Sequence, residues 1–187
     1  SFSRRQRQMC IRDSINIVPR DDFLQQVKKK HRYYIKQSEK SKIDWQVCSG
    51  SDTARIFNIV YDEMKNTKNL KLPIINIDNF SKILGLTKDG EPRLFVYAGF
   101  ENDRPVSVCL VSLMDNKAFY HYAASTERGR DISASYGMIF NLVEKLRELS
   151  IDELDFGGLS NDGSSSGVDF FKQGFNGQGF LKIGEFD

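Results

Sequence analysis

The sequence predicts an α/β (α+β) domain built around an antiparallel meander. Three observations carry this. Leu94–Phe100, Val106–Met114 and Ala118–Ala124 are strand-like apolar runs, and Asn102-Asp103 and Asp115-Asn116 between them are tight-turn residues. From Ser133 to Leu149 the apolar residues Tyr136, Ile139, Phe140, Val143 and Leu146 recur at three- and four-residue steps, which marks the strongest helix. A further strand, Ile151–Phe156, follows that helix directly, and Phe180–Phe186 reads as the last strand.

The other elements follow in chain order. Ser1–Ser14 (SFSRRQRQMCIRDS) has four arginines, no apolar period and no capping logic. It resembles a read-through of sequencing-adapter DNA, so it is set aside, and a single domain is expected over residues 15–187. On that reading the native chain extends further upstream; a native basic arm is the alternative. Ile15–Val18 alternates like a short strand and Pro19 ends it. Asp21 or Asp22 then caps a helix whose buried stripe is Leu24, Val27, His31, Tyr34 and Ile35. Ile43–Cys48 alternates as a strand, and Asp52 caps a second helix with Ile56, Phe57, Val60, Tyr61 and Met64 on one face. Asn66–Pro73 is a polar connector. Phe80, Ile83 and Leu84 form a third short helix stopped by Gly85, and Asp89-Gly90 marks a turn. Ser125–Asp131 reads as a loop.

Composition narrows the classes. With 187 residues, 40% hydrophobic and 12% aromatic, the chain can bury a sizeable core and is not of a disordered type. A net charge of +2 does not by itself point to nucleic acid or membrane. Cys10, Cys48 and Cys109 are widely spaced and odd in number, without a disulfide framework or zinc spacing, which favours a reducing cytoplasm. No His, Cys and carboxylate residues recur at ligand spacing, so no metal is expected. No run approaches the ~18 apolar residues of a membrane span, so no transmembrane segment is expected.

Two stretches carry candidate chemistry. In Asp155–Phe175 (DFGGLSNDGSSSGVDFFKQGF) a strand opens at Gly157-Gly158 into a polar loop that ends in Phe170-Phe171-Lys172-Gln173-Gly174-Phe175. Glycine permits positive φ and close backbone approach to a ligand. Lys172, set between aromatics, could place one cation in a half-dry cleft. The plainer reading is a helical turn whose phenylalanines plug the core. The second stretch carries Lys28, Arg32 and Lys36 at i, i+4 and i+8. Glu39 is the sole acid between Lys28 and Lys42. Such a ridge suits phosphates of a sugar diphosphate, a tRNA acceptor stem or CoA; a solvated lysine face is the plainer reading.

The element order resembles the GNAT acyltransferase fold, in which a meander, a helix and a further strand build a mixed, splayed sheet. Local sequences resemble its Fem-type branch, the FemABX peptidoglycan aminoacyltransferases. They are Lys30-His31-Arg32-Tyr33-Tyr34-Ile35-Lys36-Gln37-Ser38-Glu39-Lys40, the strand around Trp45, Tyr120-His121-Tyr122-Ala123-Ala124-Ser125, Asp155-Phe156-Gly157-Gly158 and Phe171-Lys172-Gln173-Gly174-Phe175. The resemblance spans nearly everything from Ile15 onward. It implies a GNAT-like fold with a mixed, mostly antiparallel central sheet flanked by helices. Fem proteins have two GNAT-like halves, and chain order matches this sequence to the second, with an N-terminal half missing upstream.

The activity implied is transfer of an aminoacyl group from aminoacyl-tRNA to an amine of a cell-wall precursor. The protein would be cytoplasmic, working at the inner face of the cell membrane. By the same resemblance Lys172 is the catalytic cation, with Phe171 shaping the site. Gly157, Gly158, Tyr122, Lys28, Arg32 and Lys36 then contact substrate. No cofactor is tightly bound; the donor is a co-substrate. Such a transfer develops negative charge on the ester carbonyl oxygen, which a positioned cation stabilises. No Ser-His-Asp or Cys-His arrangement is readable, so direct attack by the amine is simpler than a covalent acyl-enzyme. Asp155 is read as structural, at a strand end. His121 and Tyr122 occupy opposite-facing positions of one strand, so at most one should face the cleft.

The competing reading is an acetyl-CoA-dependent N-acetyltransferase acting on an amino sugar or another amine of cell-envelope polysaccharide synthesis. Such enzymes hold pyrophosphate on a loop of the form Arg/Gln-x-x-Gly-x-Gly/Ala before the long helix. Here Arg128 meets Asp131 and Arg130 meets Ser133 at the third position. This departure disfavours CoA, although Arg128 and Arg130 could still pair with phosphate. A non-catalytic binding module that keeps the fold is the third reading.

Overall fold

The computed structural model describes residues 10–48, 52–69, 75, 87–88, 91–159 and 166–182. Its strands are β1 (Cys10–Asn16), β2 (Asp44–Cys48), β3 (Thr87–Lys88), β4 (Glu91–Pro92), β5 (Leu94–Glu101), β6 (Arg104–Met114), β7 (Lys117–Ser125), β8 (Glu153–Gly158) and β9 (Gln178–Lys182). Its helices are α1 (Arg20–Gln26), α2 (Lys29–Glu39), α3 (Thr53–Lys68), α4 (Glu127–Asp131), α5 (Ala134–Glu148) and α6 (Ser166–Gln173).

Seven strands form one sheet in the order β2-β5-β6-β7-β8-β1-β9, and β3-β4 form a separate antiparallel pair; the turn expected at Asp89-Gly90 lies outside the described residues. Every neighbouring pair in the sheet is antiparallel except β7 with β8. This is the mixed, mostly antiparallel sheet expected. The meander β5-β6-β7 lies where its sequence puts it. Asn102 and Asp103 both take positive φ, 50° and 61°, as a tight hairpin turn requires.

Helices cover both faces. On one face α3 packs Phe57, Val60 and Tyr61 against Val96, Ala98, Val108 and Leu110. On the other, α1, α2 and α5 bury Phe23, Ile35, Met138, Ile139, Leu142 and Leu146 against Phe95, Tyr97, Cys109, Val111 and Phe156. Coverage on both sides explains why β5 reads as an unbroken apolar run rather than an alternating one.

Four expectations change. The strand expected at Ile15–Val18 starts earlier, so β1 takes in Cys10–Ser14 of the segment read as adapter-derived. Ladder hydrogen bonds are made by the main chain, so a segment lying between β8 and β9 becomes extended whatever its side chains. Asp13 in that strand is buried, and its Oδ2 has no partner among the described residues. The single helix expected after Pro19 is two helices. Val27 and Lys28 are extended, with ψ of 137° and 146°, because the Lys28 N–H donates to the Gly174 carbonyl instead of continuing a helix. Ser125–Asp131 is not a loop: Thr126 accepts a hydrogen bond from the Gly129 N–H and caps α4. The last strand begins earlier than expected, at Gln178. The helix expected at Phe80–Leu84 lies outside the described residues, as does the serine run Ser164–Ser166 apart from its last residue.

Candidate active site

The site is built where the parallel strands part. Lys117, Ala118 and Phe119 of β7 pair with Glu153, Leu154 and Asp155 of β8, and the ladder stops there. β7 continues to Ser125 against β6, and β8 continues to Gly158 against β1. The two strands therefore part toward their C-terminal ends. Tyr120 and Phe156 meet edge to face, with centroids 5.6 Å apart, just past the last paired residues.

A bulge in β7 shapes one wall. Leu110 pairs with Tyr122 and Val111 with Tyr120, so His121 is the extra residue. The bulge overturns the expectation that His121 and Tyr122 point to opposite faces with only one of them open. Both are exposed, Tyr122 by 43%, because the inserted residue shifts the alternation and re-aims the side chains. His121 Nε2 shares a 2.7 Å hydrogen bond with Ser112 Oγ. Desolvation and then the Arg12 guanidinium lower its pKa, against a smaller opposing pull from Asp155.

The opposite wall ends in Gly157-Gly158. Gly157 takes φ +78°, which a glycine accommodates without strain. Asp155, buried, accepts the Gly157 N–H at 2.6 Å and ion-pairs with Arg12 at 2.9 Å. It fixes the strand end, the structural role expected of it.

α6 brings Lys172 to this rim, where Nζ donates to the Gly158 carbonyl at 2.8 Å. Lys172 and Lys28 both act electrostatically on Asp13, so the two cations lie on the same side of the molecule. Burial is the largest influence on Asp13 and raises its pKa against these cations. Phe171 is half-buried and packs on Tyr136 and Phe175, with centroids 5.2 Å from each. The phenylalanine plug and the placed lysine are thus the same turn of helix. The structure gathers Lys172, Phe171, Gly157, Gly158 and Lys28 at the end of β8, while Arg32 and Lys36 continue along α2. Arg32 donates to the Gln25 carbonyl at 3.3 Å.

The arginines of α4 sit at the end of β7 and are tied to the protein. Arg128 makes a two-point contact with Glu101, at 2.7 and 2.6 Å, which lowers the Glu101 pKa and raises that of Arg128. Arg130 donates to the Ser125 carbonyl at 2.9 Å. Sequence reasoning placed His31 in a buried stripe but missed its neighbours. It sits among Tyr136, Phe170 and Phe175 and contacts the Phe171 carbonyl at 3.0 Å. The available signal was Gly174: a Cβ there would overlap the His31 ring.

Comparison with known proteins bears on the whole arrangement. The FemAB family model matches residues 96–187. Lipid II:glycine glycyltransferases from two strains of Staphylococcus epidermidis are 34% identical over 86 residues, which cover 44% of this chain and 21% of theirs. The chain thus spans about a fifth of the length of the curated relatives it matches. The crystal structure of FemX superposes with a TM-score of 0.76 at 14% identity, covering 93% of this chain and 60% of that one. The structure of L-PGS from Bacillus licheniformis superposes at 0.61 and 13% identity, covering 91% and 58%. The matched segment contains β7, β8, α6 and Lys172; over this stretch the sequence is similar to the Fem-type (FemAB) family, and the fold is GNAT-like.

Proposed function

We propose that this chain carries the transfer site of an aminoacyltransferase that moves an aminoacyl group from aminoacyl-tRNA to an amine of a peptidoglycan precursor. The observation that carries the reading is Lys172, held on the Gly158 carbonyl at the end of β8, where β7 and β8 part. The curated relatives are glycyltransferases acting on lipid II, which supports a cell-wall amine as acceptor. No helix among the described residues is long and apolar enough to cross a membrane. A lipid-linked acceptor would put the reaction at the inner face of the membrane.

The acceptor amine attacks the ester carbonyl of the donor. The new C–N bond forms as electrons move onto the carbonyl oxygen. Collapse breaks the C–O ester bond, and the proton lost by the amine ends on the departing ribose oxygen. The Lys172 ammonium stabilises the oxyanion, a role worth most where water is excluded. Phe171 supplies an apolar wall. Lys28, Arg32 and Lys36 form the phosphate-facing ridge. The CoA reading is less supported, because Arg128 and Arg130 already bond within the protein.

The test is transfer of a radiolabelled amino acid from charged tRNA to a lipid-linked or soluble precursor, with acetyl-CoA run in parallel. Label on the precursor from charged tRNA supports the reading. Transfer from acetyl-CoA alone replaces it with the acetyltransferase, and transfer from neither donor by the folded chain refutes it as a self-sufficient transfer site.

A further inference from the structure

We infer that His31 is a positioning residue for Lys172: its imidazole, with the backbone N–H of Lys28, clamps the C-terminal turn of α6 and sets where the lysine amine stands. This rests on the role proposed for Lys172 above.

A helix leaves the carbonyls of its last turn without intrahelical partners. In α6 these belong to Phe170, Phe171, Lys172 and Gln173. Three are met locally: the Gly174 N–H donates to Phe170 at 3.2 Å, Phe175 to Lys172 at 3.1 Å and Asn176 to Gln173 at 3.3 Å. The Phe171 carbonyl is met from another element, by His31 Nε2 at 3.0 Å. One residue further, the Gly174 carbonyl accepts the Lys28 N–H at 2.9 Å. The start of α2 therefore grips the end of α6 at two points, on either side of Lys172.

The surroundings leave this imidazole one role. The ring is 1% exposed and enclosed by Tyr136, Phe170 and Phe175, with centroids 4.9, 5.1 and 5.2 Å away. A carbonyl only accepts, so Nε2 carries the proton. Nδ1 is buried and has no partner among the described residues, so a second proton there would find no acceptor among them. Burial, the largest influence, and the nearby Lys28 and Lys30 lower the pKa, against the Phe171 carbonyl contact. His31 is thus a neutral, one-directional donor. It joins the phosphate ridge of α2 to Lys172, so a shift of α2 on binding a phosphate group would be felt at the amine.

The test compares His31→Phe, which keeps a ring but no donor, with His31→Gln, which keeps an amide N–H at similar reach. Hydrogen exchange on the full chain gives one readout. In His31→Phe the amides of Gly174, Phe175 and Asn176 should exchange roughly tenfold faster or more, as loss of a buried hydrogen bond implies, while those of β6 and α5 stay unchanged. Aminoacyl-transfer kinetics give the other. In His31→Phe kcat should fall on the order of 10²-fold, the cost of a misplaced catalytic group, with KM unchanged. His31→Gln should recover most of both effects. Exchange raised evenly through the protein, or unchanged at α6, overturns the clamp. Faster exchange at α6 with unaltered kcat overturns the positioning role. If the wild-type chain transfers nothing, the proposed function fails separately, and the exchange pattern still decides the clamp.

Discussion

Replacing Lys172 by alanine separates a catalytic cation from a structural one. The structural share is small. Nζ makes a 2.8 Å hydrogen bond to the Gly158 carbonyl from a partly exposed position. Such a contact is worth about 0–1 kcal/mol, and at this chain length 1 kcal/mol moves Tm by roughly 2–4 °C. The expected loss in Tm is therefore under about 4 °C. The catalytic share is larger, since removing one preorganised oxyanion donor costs about 2.7–4 kcal/mol, or 10²–10³-fold in kcat. Single-turnover transfer from charged tRNA, beside thermal denaturation of the same samples, reads both. Lys172→Arg should restore part of the rate, because it keeps the charge but not the compact ammonium geometry. A rate loss below about tenfold, or one matched by a Tm drop well beyond 4 °C, would refute the catalytic role.

Four further outcomes follow from the packing and charge. Phe175→Ala removes a ring that is 1% exposed and lies against Phe23, His31, Tyr136, Phe156 and Phe171. It should cost about 3–5 kcal/mol in denaturant titration; a loss under about 1 kcal/mol would show that the site collapses without it. Gly174→Ala forces a methyl into the His31 ring and should destabilise by about 1–3 kcal/mol, with local exchange raised at α6; a neutral result would mean the ring moves aside freely. His31 has a folded pKa below its ordinary 6.5, so the neutral form is favoured by folding. Its contribution is complete above pH 6.5 and is lost as pH falls from there toward the folded value. The charges facing it are Lys28 and Lys30 on its own side, and the rings of Tyr136, Phe170, Phe171 and Phe175 carry none at these pH values. The stability difference between wild type and His31→Gln should therefore shrink below pH 6.5, and a gap constant with pH would contradict the buried neutral imidazole. Arg32→Ala or Lys36→Ala should weaken binding of a phosphate-bearing substrate, more so at low salt; unchanged affinity at low salt would return both to a solvated face.

Much of this architecture was legible in residues alone. The meander, α3 and α5 announce themselves because each has a local pattern that its burial merely completes: alternation or apolar runs for β5, β6 and β7, and period 3.6 for Phe57-Val60-Tyr61 and for Ile139-Val143-Leu146. The phenylalanine-flanked Lys172 and the glycines of β8 were legible as a candidate site because residue type and spacing name the chemistry. Long-range partners decided the rest. The split between α1 and α2 comes from Lys28 bonding to Gly174, a residue distant in sequence. The bulge at His121 comes from register against β6, and the parting of β7 from β8 from a parallel ladder that stops at Phe119 and Asp155. The capture of Arg128 by Glu101 depends on two strand ends meeting on one rim. Periodicity reports which face of an element is buried. What that face meets, and which backbone carbonyls are left for a buried histidine to satisfy, depends on contacts between distant segments, and those exist only in the folded chain.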